Sequence, residues 1–208
     1  MNGVVTEIKE LRGGVRVTVN DGETFCLRNN DCKKHDLREG DRIDVQKLKN
    51  DLLLEQYPDA LSRAVRLLAL RARSCFEIKK QLTDACYLAD TVEMVLTKLQ
   101  SNGLLDDRAF AGQWARERTA RQIGRARILH ELRQKGVDHT LAEQVVAGLE
   151  ADEQDENAKK LAEKLAKRYR NAAPEDARRK IIQAIRRRGY SYGEAKRALD
   201  ETRYDIGE

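Results

Sequence analysis

The chain has 208 residues, of which 36% are charged, 40% hydrophobic and only 5% aromatic, and it contains two prolines. No stretch approaches the roughly 20 apolar residues that a membrane-spanning helix needs, and residues 1–12 lack the apolar centre of a signal peptide. We therefore expect a cytoplasmic protein built mainly from long, charged helices. The scarcity of aromatic residues argues against a deep ligand pocket.

The first segment has the alternating pattern of β-strands. Residues 15–19 alternate valine with polar side chains, Asp21-Gly22 suits a hairpin turn, and residues 43–45 alternate again. This pattern predicts a small β domain over residues 1–50. Residues 51–58, which end at Pro58, are predicted to be a linker.

From residue 59 onward, apolar residues recur at helical spacing and define three similar blocks. An apolar pair marks the second helix of each block: Ile78/Leu82, Ile128/Leu132 and Ile181/Ile185. A turn position follows each pair and is occupied in turn by Cys86, Gly136 and Gly189. We predict three-helix repeats over residues 59–105, 106–150 and 151–208. The fold class is mainly α, an elongated array of three tandem three-helix repeats with a small N-terminal β domain.

Helix-end signals support these boundaries. The sequences Ser74-x-x-Glu77 and Ser191-x-x-Glu194 are typical of capping boxes, and Asp138 suits an N-cap. Such residues need no functional role.

The chain lacks the common motifs of catalytic and cofactor sites. It has no Walker A sequence, no GxGxxG, no HExxH and no Gly-x-Ser-x-Gly. The adjacent Asp106 and Asp107 could suggest a metal-dependent nuclease, but neighbours diverge by about 100° around a helix, and a helix start explains both. We expect no enzymatic activity, no cofactor and no catalytic or metal-binding residue.

The cysteines do not suggest a metal site or a disulfide framework. None of the four forms a Cys-x-x-Cys pair, and Cys26, Cys32 and His35 match no standard zinc spacing. We interpret them as small buried thiols in a reducing compartment.

Positive charge is concentrated beyond residue 58. Residues 1–58 carry 10 basic and 11 acidic side chains, although the net charge of the chain is +5. Residues 116–135 carry seven basic side chains against two acidic ones, residues 159–170 six against one, and residues 178–188 six against none. Ordinary solvated helix faces would interleave acids as i,i+4 partners. We therefore favour a polyanion or an acidic protein surface as the partner.

One group of motifs resembles a known family. The segment GLLDDRAFA at residues 103–111, then Trp114 and Arg118, then GRARILHELRQKGV at residues 124–137 closely resemble the signature of the RecX regulatory proteins of bacteria. The resemblance extends over residues 59–200. One departure concerns the turn of the first block, where family members usually have Gly and Asp and this chain has Cys86 and Leu88. We therefore expect the N-cap of the helix that follows this turn to move to Asp90.

The resemblance implies a modulator of the RecA recombinase, active in DNA repair, recombination and the SOS response. RecX proteins bind RecA filaments on single-stranded DNA and suppress ATP hydrolysis, strand exchange and filament extension. The implied partner is the RecA nucleoprotein filament, with single- or double-stranded DNA as a further partner, no membrane, and a monomeric protein. A stand-alone DNA-binding protein built from helix-turn-helix-like repeats is the alternative, and a passive helical scaffold for another complex is a third option.

The predicted partner-binding residues are basic and form two sets. The first set is Arg116, Arg118, Arg121, Arg125 and Arg127. The second set is Lys164, Lys167, Arg168, Arg186, Arg187 and Arg188. The family motif marks Arg118 and Arg127, but an ion pair with Glu131 would explain both equally well. Tyr169, Tyr192 and Tyr204 are candidates for base stacking.

Overall fold

The computed structural model describes residues 2–20 and 22–202, and it confirms the mainly helical fold class with a small N-terminal β region. The four strands form one antiparallel sheet in the order β3-β2-β1-β4. Their bounds are β1 Asn2–Leu11, β2 Gly14–Val19, β3 Glu23–Leu27 and β4 Arg42–Asp44, with a short helix α1, Asn29–Lys34, before β4. Asp21 and Tyr204, singled out above, lie outside the described residues.

The helix that follows the sheet overturns the predicted linker. Helix α2 runs unbroken from Val45 to Leu70, so the linker predicted over residues 51–58 is wrong, and the predicted end of the β domain at residue 50 falls within this helix. Pro58 lies inside α2, on an exposed face, and the helix tolerates it there. The carbonyl that loses its hydrogen-bond donor belongs to Leu54, which is 71% exposed, so water can satisfy it.

Eight further helices complete the described part of the chain. They are α3 Cys75–Thr83, α4 Ala89–Ser101, α5 Asp107–Thr119, α6 Arg125–Gln134, α7 His139–Ala147, α8 Ala151–Tyr169, α9 Pro174–Arg187 and α10 Tyr192–Asp200. The C-terminal part of α2 with α3 and α4 forms the first repeat, α5–α7 the second, and α8–α10 the third. The six apolar residues that mark the second helices are all fully buried, as their spacing predicts.

The helix ends are built from local hydrogen bonds. Ser74 and Ser191 form the predicted capping boxes, and Asp138 accepts a hydrogen bond from the backbone N–H of Leu141. Helix α4 begins one residue after Leu88, which makes no side-chain cap. The predicted shift of this cap to Asp90 is therefore wrong.

The β sheet and the first repeat share a buried polar contact. Gln56 of α2 is 0% exposed, and its Nε2 donates to Oδ2 of Asp31 at 2.6 Å. Its Oε1 accepts from the backbone N–H of Leu88 at 2.9 Å and from the hydroxyl of Thr91 at 3.2 Å. One side chain of α2 thus connects α1 to α4.

The chain divides into two compact units, residues 1–106 and residues 107–208. The first contains the sheet and the first repeat, and the second contains the second and third repeats. Among the described helices, none combines the length and the apolar character that crossing a membrane requires.

Candidate polyanion-binding surface

The second and third repeats meet at two turns. The backbone N–H of Gly124, before α6, donates to the carbonyl of Arg188 at 2.9 Å, and that of Ala126 donates to the carbonyl of Gly189 at 3.2 Å. A Cβ at Gly124 would lie 2.5 Å from the carbonyl carbon and oxygen of Gly189, so only glycine fits. This junction brings the basic stretches 116–135 and 178–188 together.

Two arginine side chains cross the junction in opposite directions. Nη1 of Arg127 donates to the carbonyl of Arg187 at 3.3 Å. Nη1 of Arg188 donates to the carbonyl of Arg121 at 3.1 Å. These bonds satisfy carbonyls at the ends of helices and fix the two basic stretches relative to each other.

Arg118 is bound inside the second repeat. Its Nε lies 2.7 Å from Oε2 of Glu131, and its guanidinium lies 4.2 Å from the centre of the Trp114 ring. Glu131 also accepts from Nε1 of Trp114 at 3.2 Å and from Nε of Arg127 at 3.2 Å. The ion pairs with Glu131 considered for Arg118 and Arg127 are therefore both present. Only 24% of the Arg118 side chain is exposed, against 52% for Arg127.

Arg125 also makes an internal contact. Its Nη2 donates to the carbonyl of Leu149, after α7, at 2.7 Å, and the residue is half-buried. Because that carbonyl follows α7, Arg125 connects the start of α6 to the end of the second repeat.

Four of the predicted arginines remain exposed without a described carboxylate partner: Arg116, Arg121, Arg186 and Arg187. Two other arginines of α9 do have carboxylate partners: Arg178 pairs with Asp200 and Arg179 with Asp176, each at 2.7 Å. The basic side chains of α9 without a described carboxylate partner are therefore Lys180 in its middle and Arg186 and Arg187 at its C-terminal end.

Two adjoining shallow depressions lie on either side of this end of α9. Arg186 and Arg187 line both of them. Arg127 borders one depression, and Tyr192, 57% exposed, borders the other. We call Arg127, Arg186, Arg187 and Tyr192 together the arginine surface. The polar side chains of His130, Gln134, Gln183 and Ser191 also line the depressions, together with the carboxylate of Glu131, which is bound to Arg118 and Arg127.

Sequence reasoning did not identify His130, Gln134 or Gln183 as neighbours of these arginines. They come from two helices of different repeats, which meet at the junction of the Gly124 and Gly189 turns. The spacing of Gly124 and Gly189 in the sequence carries no signal of that contact.

The remaining basic residues of the second set lie on another helix. Lys164, Lys167 and Arg168 are exposed on α8, and the guanidinium of Arg168 lies 5.8 Å from the ring centre of Tyr169. No side-chain contact within the described ranges joins these three residues to the arginine surface. Tyr169 itself packs against the core of the third repeat.

Beneath the arginine surface lies the buried ring of Tyr190. Burial, together with the nearby carboxylate of Glu194, raises the pKa of its hydroxyl to about 12. The hydroxyl has no hydrogen-bond partner among the described residues. Across residues 2–20 and 22–202, no group of three or more His, Cys, Asp or Glu side chains could hold a metal ion.

Family models for RecX match three separate parts of the chain. The first, second and third three-helix domains of RecX match residues 60–99, 106–146 and 152–199. These ranges fall on the three repeats described above.

Curated relatives and solved structures agree with these matches. A regulatory protein RecX from Pelodictyon phaeoclathratiforme is 35% identical over 68% of this chain and 88% of its own length. One from Amycolatopsis mediterranei is 30% identical over 74% of this chain and 88% of its own length. A crystal structure of regulatory protein RecX superposes with a TM-score of 0.67 at 27% identity, covering 96% of this chain and all of that one. The crystal structure of RecX from Lactobacillus salivarius gives a TM-score of 0.66 at 25% identity over 71% of this chain and 97% of its own.

Proposed function

Since this chain belongs to the RecX family of regulatory proteins, we propose that it binds RecA filaments assembled on single-stranded DNA. In this proposal binding inhibits ATP hydrolysis, strand exchange and filament extension by RecA, and so modulates recombination and DNA repair. The protein acts as a cytoplasmic monomer and performs no chemistry of its own.

The observation that carries the proposal is the arginine surface. Arg186 and Arg187 are exposed and have no described carboxylate partner, so their guanidinium groups are available to an external anion. Guanidinium groups bind carboxylates and phosphates through paired hydrogen bonds. A RecA filament on DNA offers both kinds of anion, as acidic side chains and as backbone phosphates.

The basic residues have different roles in this proposal. Arg116, Arg121, Arg127, Arg186 and Arg187 contact the filament, and Lys164, Lys167 and Arg168 form a separate basic patch on α8. Arg118, Arg125 and Arg188 instead position the repeats, because their side chains are bound to Glu131 and to backbone carbonyls. Arg127 has both roles, since it binds Glu131 and the carbonyl of Arg187 while 52% of its side chain remains exposed.

Inhibition follows from binding alone. A ligand that prefers one filament geometry shifts the filament towards that geometry by its difference in affinity for the two states. A tenfold shift requires a difference of only about 1.4 kcal/mol, which is within the range of a few charge-assisted hydrogen bonds.

The direct test is ATP hydrolysis by RecA on single-stranded DNA, titrated with this protein. We expect hydrolysis to fall with dose and to reach a plateau once the filament is saturated. Unchanged hydrolysis at saturating protein would refute the proposal.

The second candidate is a DNA-binding protein that acts alone. The exposed ring of Tyr192 beside Arg186 and Arg187 favours it, since bases stack on aromatic rings while arginines hold phosphates. A protein that binds only phosphates loses affinity for single strands with a log–log salt slope of about −0.7 per contact, whether or not RecA is present. Binding that requires RecA, and that depends less steeply on salt, would exclude this candidate.

A further inference from the structure

Two cysteines from distant parts of the sequence meet where the β sheet packs on the first repeat. Cys26 on β3 pairs with Arg16 on β2, and residues paired in this way direct their side chains to the same face of a sheet. Gly14, two residues before Arg16, presents its Cα on that face. Cys86, in the turn between α3 and α4, covers Gly14 so closely that a Cβ there would lie 2.9 Å from the Cβ of Cys86. Cys26 and Cys86 line one cleft.

The backbone at Cys86 is unusual for a residue with a side chain. Its φ is +58°, in the left-handed region, and the corresponding turns of the second and third repeats have glycine with φ of +71° at Gly136 and +97° at Gly189. Glycine adopts this conformation without strain, whereas other residues do so rarely. The first repeat therefore keeps a strained cysteine at a position where the other repeats have the unstrained residue, and strain of this kind is often retained for a function.

The two thiols line the same cleft and differ in access to solvent. Cys86 is 4% exposed, whereas Cys26 is half-buried. Burial, with a smaller effect from the neighbouring Cys26 thiol, raises the pKa of the Cys86 thiol to about 11. The other two cysteines lie elsewhere: Sγ of Cys32 is 3.9 Å from the carbonyl of Leu37, and Sγ of Cys75 is 3.3 Å from Nε2 of Gln100.

We propose that Cys26 and Cys86 form a reversible disulfide that fastens the β domain to the first repeat. The oxidant is a small disulfide such as oxidised glutathione. The more exposed Cys26 loses its proton and attacks one sulfur of the oxidant, which releases one reduced thiol and leaves a mixed disulfide on Cys26. Cys86 then loses its proton, attacks the sulfur of Cys26 and displaces the second reduced thiol. Two protein thiols are oxidised, one small disulfide is reduced to two thiols, and no other reactant is needed.

The position of the two thiols gives the bond a structural consequence. Cys26 belongs to the sheet and Cys86 to the first repeat, so the bond prevents these parts from separating and restricts the unfolded chain. A reducing thiol pool keeps the pair open, and an oxidising one closes it.

The test is equilibration of the full chain in buffers with different ratios of oxidised to reduced glutathione. Free thiols are then blocked, and the disulfide is located by peptide mass spectrometry. We expect a peptide pair joined through Cys26 and Cys86 whose amount rises with the oxidised fraction and disappears on reduction. We also expect the oxidised protein to melt at a higher temperature.

Matched variants make the result specific. The bond should form normally in the double variant Cys32→Ser/Cys75→Ser and be absent from Cys26→Ser. Cys86→Gly should keep the helical content and cooperative melting of the parent, because glycine suits the left-handed turn, and should lose the bond. If the parent protein shows no Cys26–Cys86 peptide at the most oxidising ratio, or only separate glutathione adducts on the two cysteines, the proposal is wrong.

Discussion

Arginine side chains of equal charge have different uses in the second and third repeats. Arg118 and Arg125 are directed inward to Glu131 and to the carbonyl of Leu149, whereas Arg186 and Arg187 are exposed without a described ion-pair partner. The sequence shows where the charges are, and it also raised the ion pairs with Glu131. It could not show the contact of Arg125, because its acceptor is a backbone carbonyl 24 residues away.

Gly124→Ala should weaken the junction between the second and third repeats. The added Cβ would lie 2.5 Å from the carbonyl of Gly189, and overpacking of this kind typically lowers the free energy of unfolding by about 1–3 kcal/mol. Chemical denaturation monitored by circular dichroism measures the change.

Gly193→Ala is the matched control for that variant. Gly193 lies in α10, and a Cβ there meets nothing within 4 Å. Alanine favours a helix over glycine by about 1 kcal/mol or less, so this variant should be as stable as the parent or slightly more so. Equal stability of both alanine variants would show that the close contact at Gly124 is not required.

Tyr190→Phe should remove a loss of stability at alkaline pH. The folded pKa of Tyr190, about 12, lies above the ordinary value of 10, so between these values the unfolded chain releases a proton that the folded protein retains. The free energy of unfolding then falls as the pH rises, by at most about 1.4 kcal/mol per pH unit.

To test this prediction, the free energy of unfolding of Tyr190→Phe and of the parent is measured at pH 8 and at pH 11, and the difference between the two proteins is compared at the two pH values. The variant should be at least as stable at pH 8, because it removes a buried hydroxyl without a described partner. Its advantage should be larger at pH 11. An advantage that shrinks with pH would contradict the pKa shift.

At the scale of elements, helix α2 shows both the strength and the limit of sequence patterns. The apolar spacing and the capping boxes predicted the helices of the three repeats, because these signals arise from residues close together in the chain. The predicted linker failed because proline only disfavours a helix interior, and a helix can accommodate it where water can reach the carbonyl that loses its donor. Around Pro58 that carbonyl belongs to an exposed turn of α2.

Gln56 is the residue of α2 on which the contact between sheet and first repeat most depends. Gln56→Leu removes the acceptor of the Leu88 N–H and the donor to Asp31, both in a buried site. The Leu88 N–H is left without its acceptor, which costs about 1–3 kcal/mol, whereas the Asp31 carboxylate keeps its hydrogen bonds from Arg28. The variant should therefore unfold at lower denaturant concentration.

Gln46→Leu provides the comparison on the same helix. Gln46 is exposed, and its side chain bonds only Asn50 at 3.1 Å among the described residues. Its replacement should change the unfolding free energy by about 0.5 kcal/mol or less. If the two leucine variants were equally stable, the hydrogen bonds of Gln56 would not stabilise the first unit.

At the scale of the whole molecule, the repeat architecture was predictable and the arginine surface only in part. Three blocks with matching buried pairs follow from periodicity, and the family matches fall on the same blocks. The surface requires two turns, at Gly124 and Gly189, to touch across 65 positions of sequence. Charge counting found Arg186 and Arg187 but not the depressions that they share with Arg127 and Tyr192.

The central claim is that the arginine surface holds the RecA filament. The most direct measurement compares two double charge reversals in the RecA ATPase assay: Arg186→Glu/Arg187→Glu on that surface, and Arg66→Glu/Lys98→Glu on exposed positions of the first unit. Both change the net charge equally, and circular dichroism shows whether each remains folded. We expect the dose for half-maximal inhibition to rise about tenfold or more for the first variant, which corresponds to a loss of about 1.4 kcal/mol in binding, and to change little for the second. Equal potency of two folded variants would contradict the claim.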